Sequence, residues 1–174
     1  MYPEREELSN GYISIPIAGA IIIPGDIAFL NQFFEVMLLV TNNAPDGTPL
    51  TLTDISAEVS LPAGDDNIPG TLDDPLKIAQ TAGGANSIVP VININNGGRA
   101  VPAQESGEGK FLIEGRKEGT HTINIDITGT LLGLPSGPVQ VSGKAAGTVI
   151  VRNPYFSLAF GQPDVVREGE EYSL

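Results

Sequence analysis

The side chains in this sequence best suited to chemistry are carboxylates. Asp65, Asp66, Asn67, Asp73 and Asp74 fall within ten residues, set among glycine and proline. Hard divalent cations such as calcium take carboxylate and carbonyl oxygens from loops of this kind. Asp65, Asp66, Asp73 and Asp74 are therefore the candidate metal ligands, with calcium the expected ion. The ligand spacing of an EF-hand is absent, and a solvated turn is the plainer reading of the same residues.

Other chemistry finds little footing. His121 is the one histidine and there is no cysteine, so disulfides, thiolate metal sites and cysteine nucleophiles are excluded. A serine triad or a zinc site would have to be built around His121. That residue stands in register with Ile123, Ile125 and Ile127, which predicts a structural histidine at the edge of a core. The glycines are scattered as turn residues and form no phosphate loop between a strand and a helix. No catalytic residue is assigned, and the chain is read as non-enzymatic. Sugar sites rely on exposed aromatic platforms, and the chain has no tryptophan and four tyrosines, Tyr2, Tyr12, Tyr155 and Tyr172.

Nine basic residues against 21 acidic ones leave a net charge of −12. Such a surface repels polyanions, so neither nucleic acid nor an anionic membrane is an expected partner. The longest apolar run, residues 18–24 (AGAIIIP), is far short of the ~20 residues of a membrane helix. Residues 1–10 are polar and acidic and do not read as a signal peptide; a secretion signal would have to lie outside this chain.

The elements that must position the aspartates read as strands. Residues 120–131 (THTINIDITGTL) place isoleucines at every second position with polar residues between, the pattern of a strand with one face in a core and one in water. Residues 52–61 alternate likewise, with Ile55, Ala57, Val59 and Leu61 inward. Residues 33–41 (FFEVMLLVT) carry apolar groups on both faces, which predicts a central strand. Residues 11–17, with Pro16, fit an edge strand, and 21–23 and 27–29 flank a bend at residues 24–26. Residues 88–94 and the turn Asn95-Asn96-Gly97-Gly98 predict a hairpin. Residues 110–114 form a further short strand, and 139–151 carry Gly143 and Gly147, which suggest a bulge or a turn between two strand pieces. Twenty-one glycines and 14 prolines in a chain that is 41% hydrophobic fit many short buried strands joined by turns.

Residues 40–64, VTNNAPDGTPLTLTDISAEVSLPAG, resemble the tandem immunoglobulin-like repeats of large bacterial extracellular and surface proteins. Val40, Thr41 and Asn42 supply the strand end of those repeats, and Leu61, Pro62, Ala63 and Gly64 the closing segment. A long segment, residues 65–108, stands where the repeats have a short connection. The resemblance implies an all-β, immunoglobulin-like antiparallel β-sandwich with a long inserted loop or hairpin segment. It also implies a non-catalytic structural or adhesion module, a spacer repeat at the cell surface whose partners are neighbouring repeat domains. The expected organisation is a polar lead-in at 1–10, the sandwich at 11–152, and a linker and start of a possible second repeat at 153–174. Residues 163–174 align without gaps on 25–36, pairing Asp164 with Asp26 and Tyr172 with Phe34, which suggests a second copy. Two alternatives stand beside this reading. One is a calcium- or carbohydrate-binding sandwich with its site in residues 63–108. The other is a fibre subunit that lends residues 11–23 to a neighbour's sheet.

Overall fold

The computed structural model describes residues 15–16, 18–24, 27–80 and 84–154. The proposed lead-in at 1–10 and the tail copy at 163–174 lie outside the described residues.

The isoleucine row lies at the centre of the molecule. Strand β11 (Gly119–Leu132) is flanked by β12 (Val139–Arg152) and β5 (Thr51–Ser60), both antiparallel to it. Ile123, Ile125 and Ile127 are buried there, as the alternation predicts. A second sheet centres on β4 (Phe33–Thr41) and β10 (Ser106–Gly115), also antiparallel. Val36, Leu38, Val40, Phe111 and Ile113 of this sheet meet the isoleucines, with Ile55, Ala57 and Val59 of β5, in one core. The chain is thus an all-β, immunoglobulin-like two-sheet sandwich.

The two edges of the sandwich are closed by segments that step between the sheets. At one edge, β1 (Ile15–Pro16) pairs parallel with β12, β2 (Gly19–Ile22) crosses over to pair with β4, and β3 (Ile27–Phe29) returns to β12. At the other, β6 (Leu76–Ile78) joins β10, β7 (Ile88–Pro90) joins β5, β8 (Ile92–Asn93) returns to β10 and β9 (Val101–Pro102) to β5. Pro16, Pro90 and Pro102 stand in these short strands, and Pro24 and Pro75 beside them. Proline cannot donate to a ladder and so fits only such edges. Short, proline-marked edges also leave little template for a foreign strand.

Several expectations change. Residues 88–94 are not one strand of a hairpin: β7 and β8 lie in different sheets, with buried Val91 at the step. The turn at 95–98 does form, closed by the Gly97 N–H donating to the Asn93 carbonyl at 2.9 Å. Just before it hydropathy is inverted, for Asn93 is buried while Ile94 is exposed. Asn93 tolerates burial because its amide donates to the Ala100 carbonyl and the Glu105 carboxylate and accepts from the Asn95 N–H. The glycines of β12 mark neither a bulge nor a turn. The strand runs unbroken against β11 from Val139 to Val151, and a side chain at Gly147 would collide with Ile21 where β2 crosses. The bulge lies instead in β5, between the pairs Thr128–Ser56 and Thr130–Thr53, with Asp54 at φ 50°. That extra residue brings Leu52 onto the same buried face as Ile55, although the two are an odd number of positions apart.

Candidate metal centre and adjoining cleft

β5 ends in one sheet at Ser60 and β6 begins in the other at Leu76, so residues 61–75 must bridge the mouth of the sandwich. The bridge is tied by its own aspartates. Asp74 is buried at the foot of β6, and its carboxylate accepts the backbone N–H groups of Gly64 at 2.8 Å, Thr71 at 3.1 Å and Gly70. Those donors draw two separate points of the loop, Gly64 and the Gly70-Thr71 pair, onto one side chain and satisfy N–H groups that irregular backbone leaves unpaired. Asp73 accepts the Thr71 hydroxyl at 2.5 Å and the Asp66 N–H at 3.2 Å. The Thr71 hydroxyl, and after it the Asp66 N–H, hold the Asp73 carboxyl below its ordinary range. Asp66 in turn accepts the Ile68 N–H at 2.8 Å, the two-residue turn favoured by aspartate.

One carboxylate oxygen from each of Asp66, Asp73 and Asp74 lies within 4.8 Å of the others. The fourth candidate ligand, Asp65, is elsewhere: it is exposed and meets the Lys117 ammonium at 3.2 Å. The triad grades from exposed Asp66 through half-buried Asp73 to buried Asp74, so it opens to solvent on one side. Carboxylate oxygens are the donor type a hard divalent cation takes, and the triad brings three of them together.

Beside the triad lies a cleft of about 480 Å³ between the edges of the two sheets. Leu61, Pro69, Leu76, Ile78 and Ala85 give it apolar walls, and Lys77 and Asp74 stand at its border. Among the described residues no aromatic ring lines it. The cleft was not visible in the sequence because its walls come from β5, β6 and two loops that only the folded topology brings together. Leu61, which continues the inward alternation beyond the end of β5, is the one local trace of it.

His121 occupies the position its register predicts. It is half-buried at the start of the isoleucine row, and its Nε2 lies 2.9 Å from the Lys117 carbonyl oxygen. The ring thereby braces the turn between β10 and β11. Asn42, the last residue of the Val-Thr-Asn sequence, is buried and donates to the carbonyls of Leu50 at 3.1 Å and Val101 at 2.9 Å. It pins β9 and the loop before β5 to the end of β4.

No family model matches the chain, and no curated protein matches it. Solved structures of similar shape exist. The CARDB domain of the PF1109 protein from Pyrococcus furiosus, determined in complex with di-metal ions, is 19% identical with a TM-score of 0.42, over 79% of this chain and 94% of that one. A cohesin module from a Clostridium perfringens family 33 glycoside hydrolase is 10% identical with a TM-score of 0.41, over 79% and 99%. AvmM, which catalyses macrocyclization in alchivemycin A biosynthesis, is 15% identical with a TM-score of 0.44, over 86% and 100%. Likeness at this level transfers neither a ligand nor an activity.

Proposed function

We propose that the chain is a non-catalytic spacer or adhesion module of a bacterial extracellular protein, set at the cell surface between neighbouring domains of the same polypeptide. The observation that carries this is where the first and last described strands lie along the sandwich. Ile15 pairs with Val141 near the start of β12, and β12 ends at Arg152, where β3 pairs with it. Eleven residues of extended strand separate those points, about 36 Å at ~3.3 Å per residue. Domains joined through opposite poles extend one another lengthwise, whereas domains joined through adjacent ends fold back. The acidic surface, with a net charge of −12, supports solubility in such an array. The described part of the N-terminal segment is already paired with β12 and β4 of its own chain, which favours this reading over a strand lent to a neighbour.

The test is the shape of concatenated copies. Two, three and four copies joined through residue 154 should give rods whose length in small-angle scattering grows by about 4 nm per copy. A radius of gyration that scales as for a compact globule would overturn the proposal.

A second reading concerns calcium, favoured by the convergence of Asp66, Asp73 and Asp74. Bound ion would neutralise repulsion among the three carboxylates and brace residues 61–75 across the sandwich mouth. Calcium should then raise the melting temperature above that of a chelated sample, and Asp66→Asn should remove the increment. Identical melting curves with and without calcium would reject it.

A further inference from the structure

Strand β6 is the last of its sheet, and β10 is its one strand partner among the described residues. The Arg116 N–H donates to the Pro75 carbonyl at 2.8 Å and the Ala79 N–H to the Leu112 carbonyl at 2.9 Å, so Pro75, Lys77 and Ala79 turn their backbone groups toward β10. The alternate positions, Leu76 and Ile78, turn theirs outward, where no described strand meets them. Leu76 is only 1% exposed, and buried N–H and C=O groups need partners. The apolar cleft runs along this outward edge, with Leu76 and Ile78 on one side and Val59 and Leu61 on the other. Elsewhere on this flank β7, β8 and β9 step between the sheets and close the sandwich. At the foot of β6, the Nη1 of Arg116 is buried with no hydrogen-bond partner among the described residues. An edge, an apolar trough and a cationic donor thus lie unfilled side by side.

We propose that residues 155–160 (YFSLAF) of the same chain fill this cleft, laid as an added strand on the outward edge of β6 with Phe156, Leu158 and Phe160 facing in. Reach favours this occupant. A side chain at Gly115 would touch Val151 near the end of β12, and Gly115 is the register partner of Leu76. One strand spacing of about 4.8 Å beyond that contact puts Leu76 within roughly 12 Å of Val151. The twenty residues after Pro154 span up to ~66 Å when extended. Chemistry favours it too, for the apolar residues of 155–160 alternate as a strand with one face in a trough requires. The fourteen residues beyond carry Asp164, Glu168, Glu170 and Glu171 against one arginine, and a carboxylate is the acceptor that the Arg116 guanidinium lacks. Two outward residues are too few to hold a foreign strand against the full cost of association. They suffice for a segment tethered nearby, whose effective concentration is roughly millimolar.

NMR of the full chain tests this. Nuclear Overhauser contacts are expected from the Leu158 methyls to those of Leu61 and Ile78, together with slow hydrogen exchange at the Leu76 and Ile78 amides. Leu158→Asp should speed exchange at both amides at least about tenfold, and Phe156→Ser should act in the same direction. Val166→Asp, further along the tail, adds the same charge and should leave both amides unchanged. A tail without contacts to the cleft would overturn the proposal, and so would amide exchange that ignores Leu158→Asp or responds equally to Val166→Asp. Contacts that arise only between labelled and unlabelled chains in a mixed sample would also overturn it, by giving the cleft to a second copy.

Discussion

At the scale of single residues, the acidic loop is held by aspartates acting as acceptors for backbone and hydroxyl donors, and this makes it sensitive to acid. The Asp73 carboxyl lies below its ordinary value of 3.8, first because of the Thr71 hydroxyl and then the Asp66 N–H. A depressed folded value means that the interaction stabilises the folded chain above the unfolded value and is lost as pH falls through the folded one. Thr71→Val removes the largest cause, so the Asp73 titration followed by NMR should move up toward 3.8. The variant should melt below the parent at about pH 7, and the gap should narrow once pH drops below about 3.5. A gap of constant size down to about pH 2 would show that Asp73 has no part in it. The four aspartates were legible as a cluster because they share one loop. The split that sends Asp65 to Lys117 was not, since that lysine lies on the β10–β11 turn, far away in sequence.

At the scale of elements, close packing explains where the sequence could and could not be read. β11 and most of β5 follow strict alternation, so their buried faces were plain from hydropathy alone. β10 was not: only residues 110–114 read as a strand, yet it begins at Ser106. Its first inward positions are Gly107 and Gly109, both buried, and a run of glycines carries no hydropathy signal. They are glycine because the stepping segment crosses there. A side chain at Gly107 would collide with Val91 and press on Val101 and the Ile92 carbonyl. Gly107→Val should therefore destabilise the fold by about 2 to 4 kcal/mol through overpacking and displaced edge strands, measured by urea unfolding. An effect below about 0.5 kcal/mol would mean that β8 and β9 are not held against β10 as described. The same reasoning accounts for Gly147 against Ile21 at the other edge, where glycine was misread as a break. Composition reported that glycine was abundant, but only the crossing of the edge segments says which glycines lie inside strands.

At the scale of the whole molecule, a spacer must resist being pulled along its length, and the strand directions bear on that directly. β1 and β3 run alongside β12 in the same direction, pairing at Ile15–Val141 and again at Ile27–Ile150, with Gly19 and Ile21 of β2 packed against Ala145 and Gly147 between them. Tension applied at the two poles slides these strands along β12, so their hydrogen bonds and the close contacts at Gly147 are loaded together. Tension between Glu118 and Pro154 acts differently, because Gly119 and Val151 are partners at one end of the long β11–β12 ladder. Its rungs would open one after another from that end. Forced unfolding is governed by the barrier along the pulled direction and not by equilibrium stability. One protein should therefore give two unfolding forces, with end-to-end pulling several-fold above pulling between residues 118 and 154. The chain contains no cysteine, so Glu118→Cys and Pro154→Cys provide unambiguous handles for single-molecule measurement. Equal forces in the two geometries would remove the mechanical basis for a load-bearing module, even if concatenated copies still formed rods.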